Sequence, residues 1–154
     1  MNIFIRKAGE VDFPEILLLI KELALFEKAP DKVTNTVEQM KKEKEFFHCF
    51  VAETKNREIV GMAIYFFAYY TWVGKSLYLE DLYVKESYRK QKIGSALLRK
   101  IFETANEEEC KRVRWQVLNW NKAAIQMYTK SGAVIDDEWL NCNFDSDGIK
   151  NFRL

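Results

Sequence analysis

The stretch L-Y-L-E-D-L-Y-V-K-E-S-Y-R-K-Q-K-I-G-S-A-L-L at residues 77–98 constrains this chain more than any other. Residues 77–84 are dense in aromatic and aliphatic side chains and read as a strand. The adjacent carboxylates Glu80 and Asp81 interrupt it in a setting where acids are disfavoured, so they need a reason beyond packing. Further on, Arg89, Lys90 and Lys92 stand just ahead of Gly94 and Ser95, where a helix is expected to begin. A helix start presents unpaired backbone N–H groups and the positive end of the dipole, which with basic neighbours is the physics of a phosphate site.

That attraction is local. The whole chain of 154 residues has a formal charge of +1, which gives no general pull toward nucleic acid or acidic membrane, whereas Lys85, Arg89, Lys90 and Lys92 face only Glu86 within the turn. The length fits one domain over residues 1–154, and 48% hydrophobic residues suffice for a core without disulfides or a metal. Cys49, Cys110 and Cys142 are odd in number and lack paired C-x-x-C spacing, so they read as free thiols. No spacing of carboxylates and histidine points to a metal. The opening M-N-I-F-I-R has no secretory pattern and no apolar run approaches a membrane span, so a cytoplasmic protein is expected.

Residues 2–7 read as a first strand. Asp12, three positions before Glu15, reads as an acidic capping box ahead of a helix to about Phe26, carried by Ile16, Leu19, Ile20, Leu23 and Ala24. A second helix starts near Thr34 or Asn35 and runs into a solvated charged face. Residues 47–53 and 59–70 form an antiparallel hairpin, and residues 72–74 turn the chain into the strand at 77–84, which makes a meander. Ile93, Leu97, Ile101 and Ala105 mark a helix ending near the acids at 107–109. A strand is expected at 113–118, then a short helix capped by Asn121 and stopped by Gly132, then strands at 133–135, 139–144 and 149–152. The order is that of an α/β layer structure with a mixed sheet.

The run Y-R-K-Q-K-I-G-S-A-L-L resembles the acetyl-CoA-binding motif of the GCN5-related N-acetyltransferases: Gln or Arg, two residues, Gly, one residue, then Gly or Ala. Arg89 and Gly94 fit it, and Lys92 stands where the first glycine is usual. Further segments, I-R-K-A near the start, L-I-K-E-L-A, the run around His48, Y-T-W-V-G-K, L-Y-L-E-D-L-Y-V and W-N-K-A-A-I-Q-M-Y-T-K-S-G-A, resemble the diamine acetyltransferase branch acting on spermidine, spermine or thialysine. The resemblance implies a GNAT fold, α/β, with a central mixed, mostly antiparallel twisted sheet flanked by about four helices. It implies acetyl transfer from acetyl-CoA to a primary amine by direct attack in a ternary complex.

Such a reaction needs a neutral amine, a donor for the oxyanion and an acid for the departing thiolate. Glu80 is the expected base, acting directly or through water. Tyr128 is the expected acid; periodicity alone makes it a core aromatic, and its catalytic role comes from the resemblance. By the same resemblance Leu82, Tyr83 and Val84 meet the pantetheine arm through their backbone. Arg89, Lys90, Gln91, Lys92, Ile93, Gly94 and Ser95 hold the pyrophosphate, and Asn121, Lys122, Ala123 and Ala124 line the far side. For the amine, Glu27, Glu80 and Asp81 are an expected anionic pocket with Phe26, Trp72 and Trp115 as walls. Arg114 and Gln116 beside Trp115 complete the set.

Tyr70 and Thr71 stand where spermidine-type enzymes have an extra aspartate before the tryptophan, so a shorter diamine, a lysine analogue or another amine fits as well as a polyamine. His48 reads as structural, and neither Cys49 nor Cys142 has a histidine partner for a covalent route. The acceptor stays open among small amines, a peptide N-terminus, an amino acid or an aminoglycoside, as does a coenzyme A-binding module without transfer activity. The resemblance also implies a homodimer, with no nucleic-acid or membrane partner.

Overall fold

The structure, a computed structural model, describes residues 3–153. Residue 2, where the first strand is expected to start, lies outside the described residues. One compact unit extends through Gln116 and a second begins at Val117.

The first unit is built on a sheet of order β1-β2-β3-β4-β5: β1 (Ile3–Lys7), β2 (His48–Thr54), β3 (Ile59–Tyr70), β4 (Gly74–Val84) and β5 (Val113–Arg114). The first three pairings are antiparallel and follow chain order, as the hairpin and meander patterns predict. β5 joins parallel to β4 after the crossover helix α3 (Ile93–Glu107). Helices α1 (Phe13–Phe26) and α2 (Val37–Lys42) complete the unit.

Pairing register decides which side chains share a face, because directly opposed residues project together. Cys49, Ile64 and Asp81 form one row, and Val51, Met62 and Tyr83 another. These rows carry the core shared with Phe13, Ile16, Leu17 and Leu19 of α1 and Met40 of α2. The opposite face receives Leu97 of α3, and the buried stripe Ile93, Leu97, Leu98, Ile101 and Ala105 matches the expected period. Gly61 permits that contact. A Cβ built there would stand 3.0 Å from the Tyr83 carbonyl oxygen and 3.3 Å from a Leu97 methyl.

Three expectations change. Asp12 does not cap α1 through its side chain; its carboxylate takes two bonds from the Arg6 guanidinium, at 2.7 and 2.9 Å, and one from the Gly9 N–H at 2.8 Å. Arg6 also bonds Glu53, so one guanidinium ties β1 to β2 and to the chain entering α1. The second helix starts later than expected, capped by Thr36, whose hydroxyl accepts from the Gln39 N–H at 3.1 Å. The strand expected at 113–118 contracts to two residues.

In the second unit, α4 (Lys122–Lys130) is capped by Asn121 and followed by Gly132 at φ 94°, as expected. No strand follows β5 among the described residues. The strands expected at 133–135, 139–144 and 149–152 give way to irregular chain and to α5 (Ser146–Lys150). The Asp145 carboxylate accepts from the Gly148 N–H at 2.7 Å, which closes a helical turn where the apolar residues alone read as extended. The Asp136 carboxylate accepts from the Glu138 N–H at 3.1 Å, a local turn at the acidic stretch between the segments expected at 133–135 and 139–144.

Gly61→Val should overpack the sheet–helix contact and lower unfolding free energy by about 1–3 kcal/mol. Urea denaturation should show a lower midpoint with an unchanged slope.

Candidate active site

The two acids of β4 sit at a break in the ladder. Register runs from Ile64↔Asp81 to Tyr65↔Leu79, which leaves Glu80 as an extra residue on β4. Such a bulge shifts the alternation by one residue and bends the strand. Its consequence here is specific: Tyr78, opposite Phe66, and Asp81, opposite Ile64, lie on the same face although three positions separate them. Without the bulge one of the two would point toward α3. Beyond Tyr78↔Arg114, no described residue of β5 stands opposite β4, so Leu82, Tyr83 and Val84 are held from the β3 side alone.

Electrostatics mark the same spot. Asp81 is partly buried, and its carboxyl is pushed up to about 7 by loss of water, then by the charges of Glu80 and Glu27. Glu27, the residue that ends α1, is also raised, by burial and by Glu80. The expected anionic pocket of Glu27, Glu80 and Asp81 is therefore an interacting cluster, and within it Asp81 is the group poised near neutrality. Its apparent titration belongs to the cluster rather than to one carboxyl.

After β4 a short turn over Glu86–Tyr88 leads to Arg89. Lys90 and Lys92 both adopt left-handed backbone, φ 62° and 63°, a conformation that costs an ordinary L-residue roughly 1–2 kcal/mol. Lys92 thus takes, without being glycine, the backbone form that glycine adopts freely. No side chain caps α3 and no acid lies in its first turn, so the N–H groups of Ile93, Gly94 and Ser95 open the helix beside Lys90, Gln91 and Lys92. Glu58, from the β2–β3 turn, anchors the loop by accepting from the Tyr88 hydroxyl at 2.8 Å and from Lys85 at 3.1 Å. Arg89 turns back: its Nε donates to the Val84 carbonyl at 3.1 Å, and its guanidinium lies 5.1 Å from the Phe26 ring and 5.6 Å from the Tyr83 ring. It braces the end of β4 and occupies Phe26.

In the second unit, the Asn121 carboxamide oxygen accepts from the Ala124 N–H at 3.3 Å, and Lys122 donates to the Asn119 carbonyl at 3.0 Å. Ala123 and Ala124 lie in the first turn of α4. Tyr128 is the buried residue of that helix, and burial raises its hydroxyl above the ordinary range, so it stays protonated at neutral pH.

Residues 14–133 match the Acetyltransferase (GNAT) family. The chain belongs to this family. It is 42% identical over 162 residues to a thialysine N-epsilon-acetyltransferase of Bos taurus, covering 96% of this chain and 95% of that one. It is 37% identical to a spermidine/spermine N(1)-acetyltransferase-like protein 1 of Homo sapiens, over 84% of this chain and 20% of that protein. An aminoglycoside acetyltransferase structure from a soil metagenome superposes with a TM-score of 0.77 at 20% identity, over 93% and 95% of the two chains, which bears on fold. As a GNAT enzyme the chain is an acetyl-CoA-dependent amine N-acetyltransferase.

Not every expected residue joins the acids. The Trp115 ring stands edge-on to Phe102 of α3, with 6.3 Å between centroids, and so packs toward the face opposite Asp81. Gln116 follows it, exposed. Trp72 is 86% exposed in the turn between β3 and β4. His48 pairs with Tyr65 on the α3 face, its ring 5.1 Å from that of Tyr65, in keeping with a structural role. Burial pushes the Cys49 thiol up to about 12, which leaves almost no thiolate at neutral pH. A concavity lined by Phe13, Phe47 and Cys49 lies apart from the carboxylate cluster, with its charged rim closed by the Lys44–Glu10 pair at 2.8 Å. Among the described residues no group of His, Cys, Asp and Glu is arranged to hold a metal.

Two residues near the acids escape a reading of motifs. Tyr78 stacks on Phe66 at 5.1 Å, and Arg112 stands with Arg114 over the Tyr70 ring, at 5.4 and 5.7 Å. The signal was the R-V-R spacing, since residues two apart share a face in a strand.

The raised carboxyl of Asp81 has a stability consequence. A carboxyl raised in the folded state favours folding while protonated, and that contribution is lost as pH rises through its folded value. The protein should therefore be less stable at pH 8 than at pH 5, by on the order of 2 kcal/mol after discounting for partial exposure. Asp81→Asn should remove most of that fall, and thermal melts at the two pH values will measure it.

Proposed function

We propose that this acetyltransferase modifies a primary amine of a small diamine, polyamine or thialysine-like substrate, bound by Glu27, Glu80 and Asp81. The observation that carries the reading is the gathering of three carboxylates beside the point where β4 leaves β5. A cluster of that charge attracts an ammonium ion, and a carboxyl near neutrality can then take the proton that must leave before the amine attacks. In this reading Glu80, the exposed bulge residue, meets the ammonium, and the proton passes to the Glu80–Asp81 pair directly or through water. The high identity to thialysine acetyltransferases supports a small acceptor.

The backbone of Leu82, Tyr83 and Val84 would hold the thioester arm of acetyl-CoA. The N–H groups of Ile93, Gly94 and Ser95, with Lys90, Gln91 and Lys92, would hold its phosphates, and Asn121, Lys122, Ala123 and Ala124 would complete the cofactor surface. Arg89, whose Nε braces the end of β4, would add its charge to the same phosphate site. Tyr128 would donate the proton to the departing thiolate.

The direct test is release of free thiol from acetyl-CoA with thialysine, diamines, spermidine and peptides as acceptors. Turnover confined to peptides would overturn the small-amine reading. Tyr128→Phe should lower kcat about 100-fold, the scale of one lost general acid, with the KM for acetyl-CoA within about twofold. An unchanged kcat would remove Tyr128 from the chemistry.

The reading includes a cytoplasmic homodimer. No described helix is long and apolar enough to cross a membrane. Exposed apolar side chains such as Phe4 and Tyr69 leave surface for a second copy. Light scattering of the purified protein should return about twice the 18.2 kDa chain mass.

A further inference from the structure

We infer that Glu58, on the turn between β2 and β3, is a positioning residue for the acetyl donor: through Tyr88 and Lys85 it holds the loop whose residues 90–95 meet the donor's phosphates, and so sets donor affinity rather than the chemical step. The inference rests on the cofactor reading above and adds to it a residue from outside the loop.

The loop does not hold this shape alone. Its own backbone bonds run from the Tyr88 N–H to the Lys85 carbonyl at 2.9 Å and from the Arg89 N–H to the Glu86 carbonyl at 3.2 Å, then resume with the Ala96 N–H to the Lys92 carbonyl at 3.0 Å. Residues 90–95, the proposed phosphate contacts, fall in that interval. Lys90 and Lys92 within it are held at φ 62° and 63°, which ordinary L-residues keep only where the surroundings over-determine the backbone. Glu58 supplies such a hold from a distant part of the chain: its carboxylate accepts from the Tyr88 hydroxyl at 2.8 Å and from the Lys85 ammonium at 3.1 Å. Those two partners, Tyr88 before Lys85, also keep the Glu58 carboxyl below its ordinary range.

Glu58 is itself fixed. Its N–H donates to the hydroxyl of buried Thr54 at 3.2 Å, and its carbonyl accepts from the Thr54 N–H at 2.9 Å, so the turn presents the carboxylate already oriented. By charge alone an acid beside a phosphate loop opposes anion binding, and it takes up the charge of Lys85 as well. Positioning and charge therefore predict opposite signs. Removing Glu58 weakens the donor if the carboxylate orders the loop and strengthens it if the carboxylate acts through its field.

The test compares acetyl-CoA with S-acetylpantetheine, a thioester donor without phosphates, for the wild-type enzyme and for Glu58→Ala, Glu58→Gln and Tyr88→Phe. The wild type should favour acetyl-CoA in kcat/KM. Glu58→Ala should raise the KM for acetyl-CoA about tenfold with kcat within about twofold, and should leave kcat/KM on S-acetylpantetheine within about twofold. Glu58→Gln, which keeps an oxygen for the Tyr88 hydroxyl, should recover part of the loss. Tyr88→Phe should raise the KM about threefold and add little to Glu58→Ala, because the two residues act as one unit. An unchanged or lower KM for acetyl-CoA in Glu58→Ala overturns the inference, and so do equal losses on both donors, which would mean that Glu58 only supports the fold; both outcomes leave the acetyl-CoA reading intact. Equal wild-type use of the two donors would mean that residues 90–95 read no phosphate, which overturns that part of the cofactor reading and the inference with it. Thermal melts of each variant, expected within a few degrees of wild type, separate a loosened loop from a lost fold.

Discussion

The bulge at Glu80 is the constraint on which the rest of this site depends. A strand alternates strictly, so a single added residue moves every later side chain to the other face. Here the addition sets Tyr78, Asp81 and Tyr83 on the α1 side of β4 while Leu79, Leu82 and Val84 keep to the α3 side. Burial raises the carboxyls of Asp81 and of Glu27 at the end of α1, and the Glu80 charge raises both further. The break also falls where pairing to β5 stops. One irregularity in one strand thus sets the face of Asp81, just beyond the last residue of β4 that pairs with β5.

Around that break the fold spends side chains on bracing. Arg89 holds the Val84 carbonyl between two aromatic rings, and Glu58 ties down the loop through Tyr88 and Lys85. These contacts keep the turn compact while Lys90 and Lys92 remain in left-handed backbone at the start of α3. A strained loop persists where its surroundings over-determine it, and such loops concentrate at ligand sites.

Much of this was legible in the residues. Apolar periods foretold the meander and α3, the basic turn before Gly94 marked where α3 begins, and the wider run of segments pointed to the GNAT family. Local patterns failed where a distant partner decides. Residues 133–144 carry the apolar content of strands, but no strand pairs with them among the described residues. Asp145 and Gly148 close a helical turn through a bond that composition does not advertise. The Trp115 ring, expected as a wall for the amine, packs on Phe102 of α3, a neighbour that no local pattern names.

The amino-acid sequence by itself determined the order of elements, the presence of two acids inside a strand and the basic approach to a helix start, because these are properties of neighbouring residues. Only the tertiary structure decided which face Asp81 occupies, that its carboxyl is poised near neutrality rather than merely acidic, and that Arg112 and Arg114 share a ring with Tyr70. Those outcomes depend on cross-strand register and on charges brought close by folding, which no local pattern along the chain encodes.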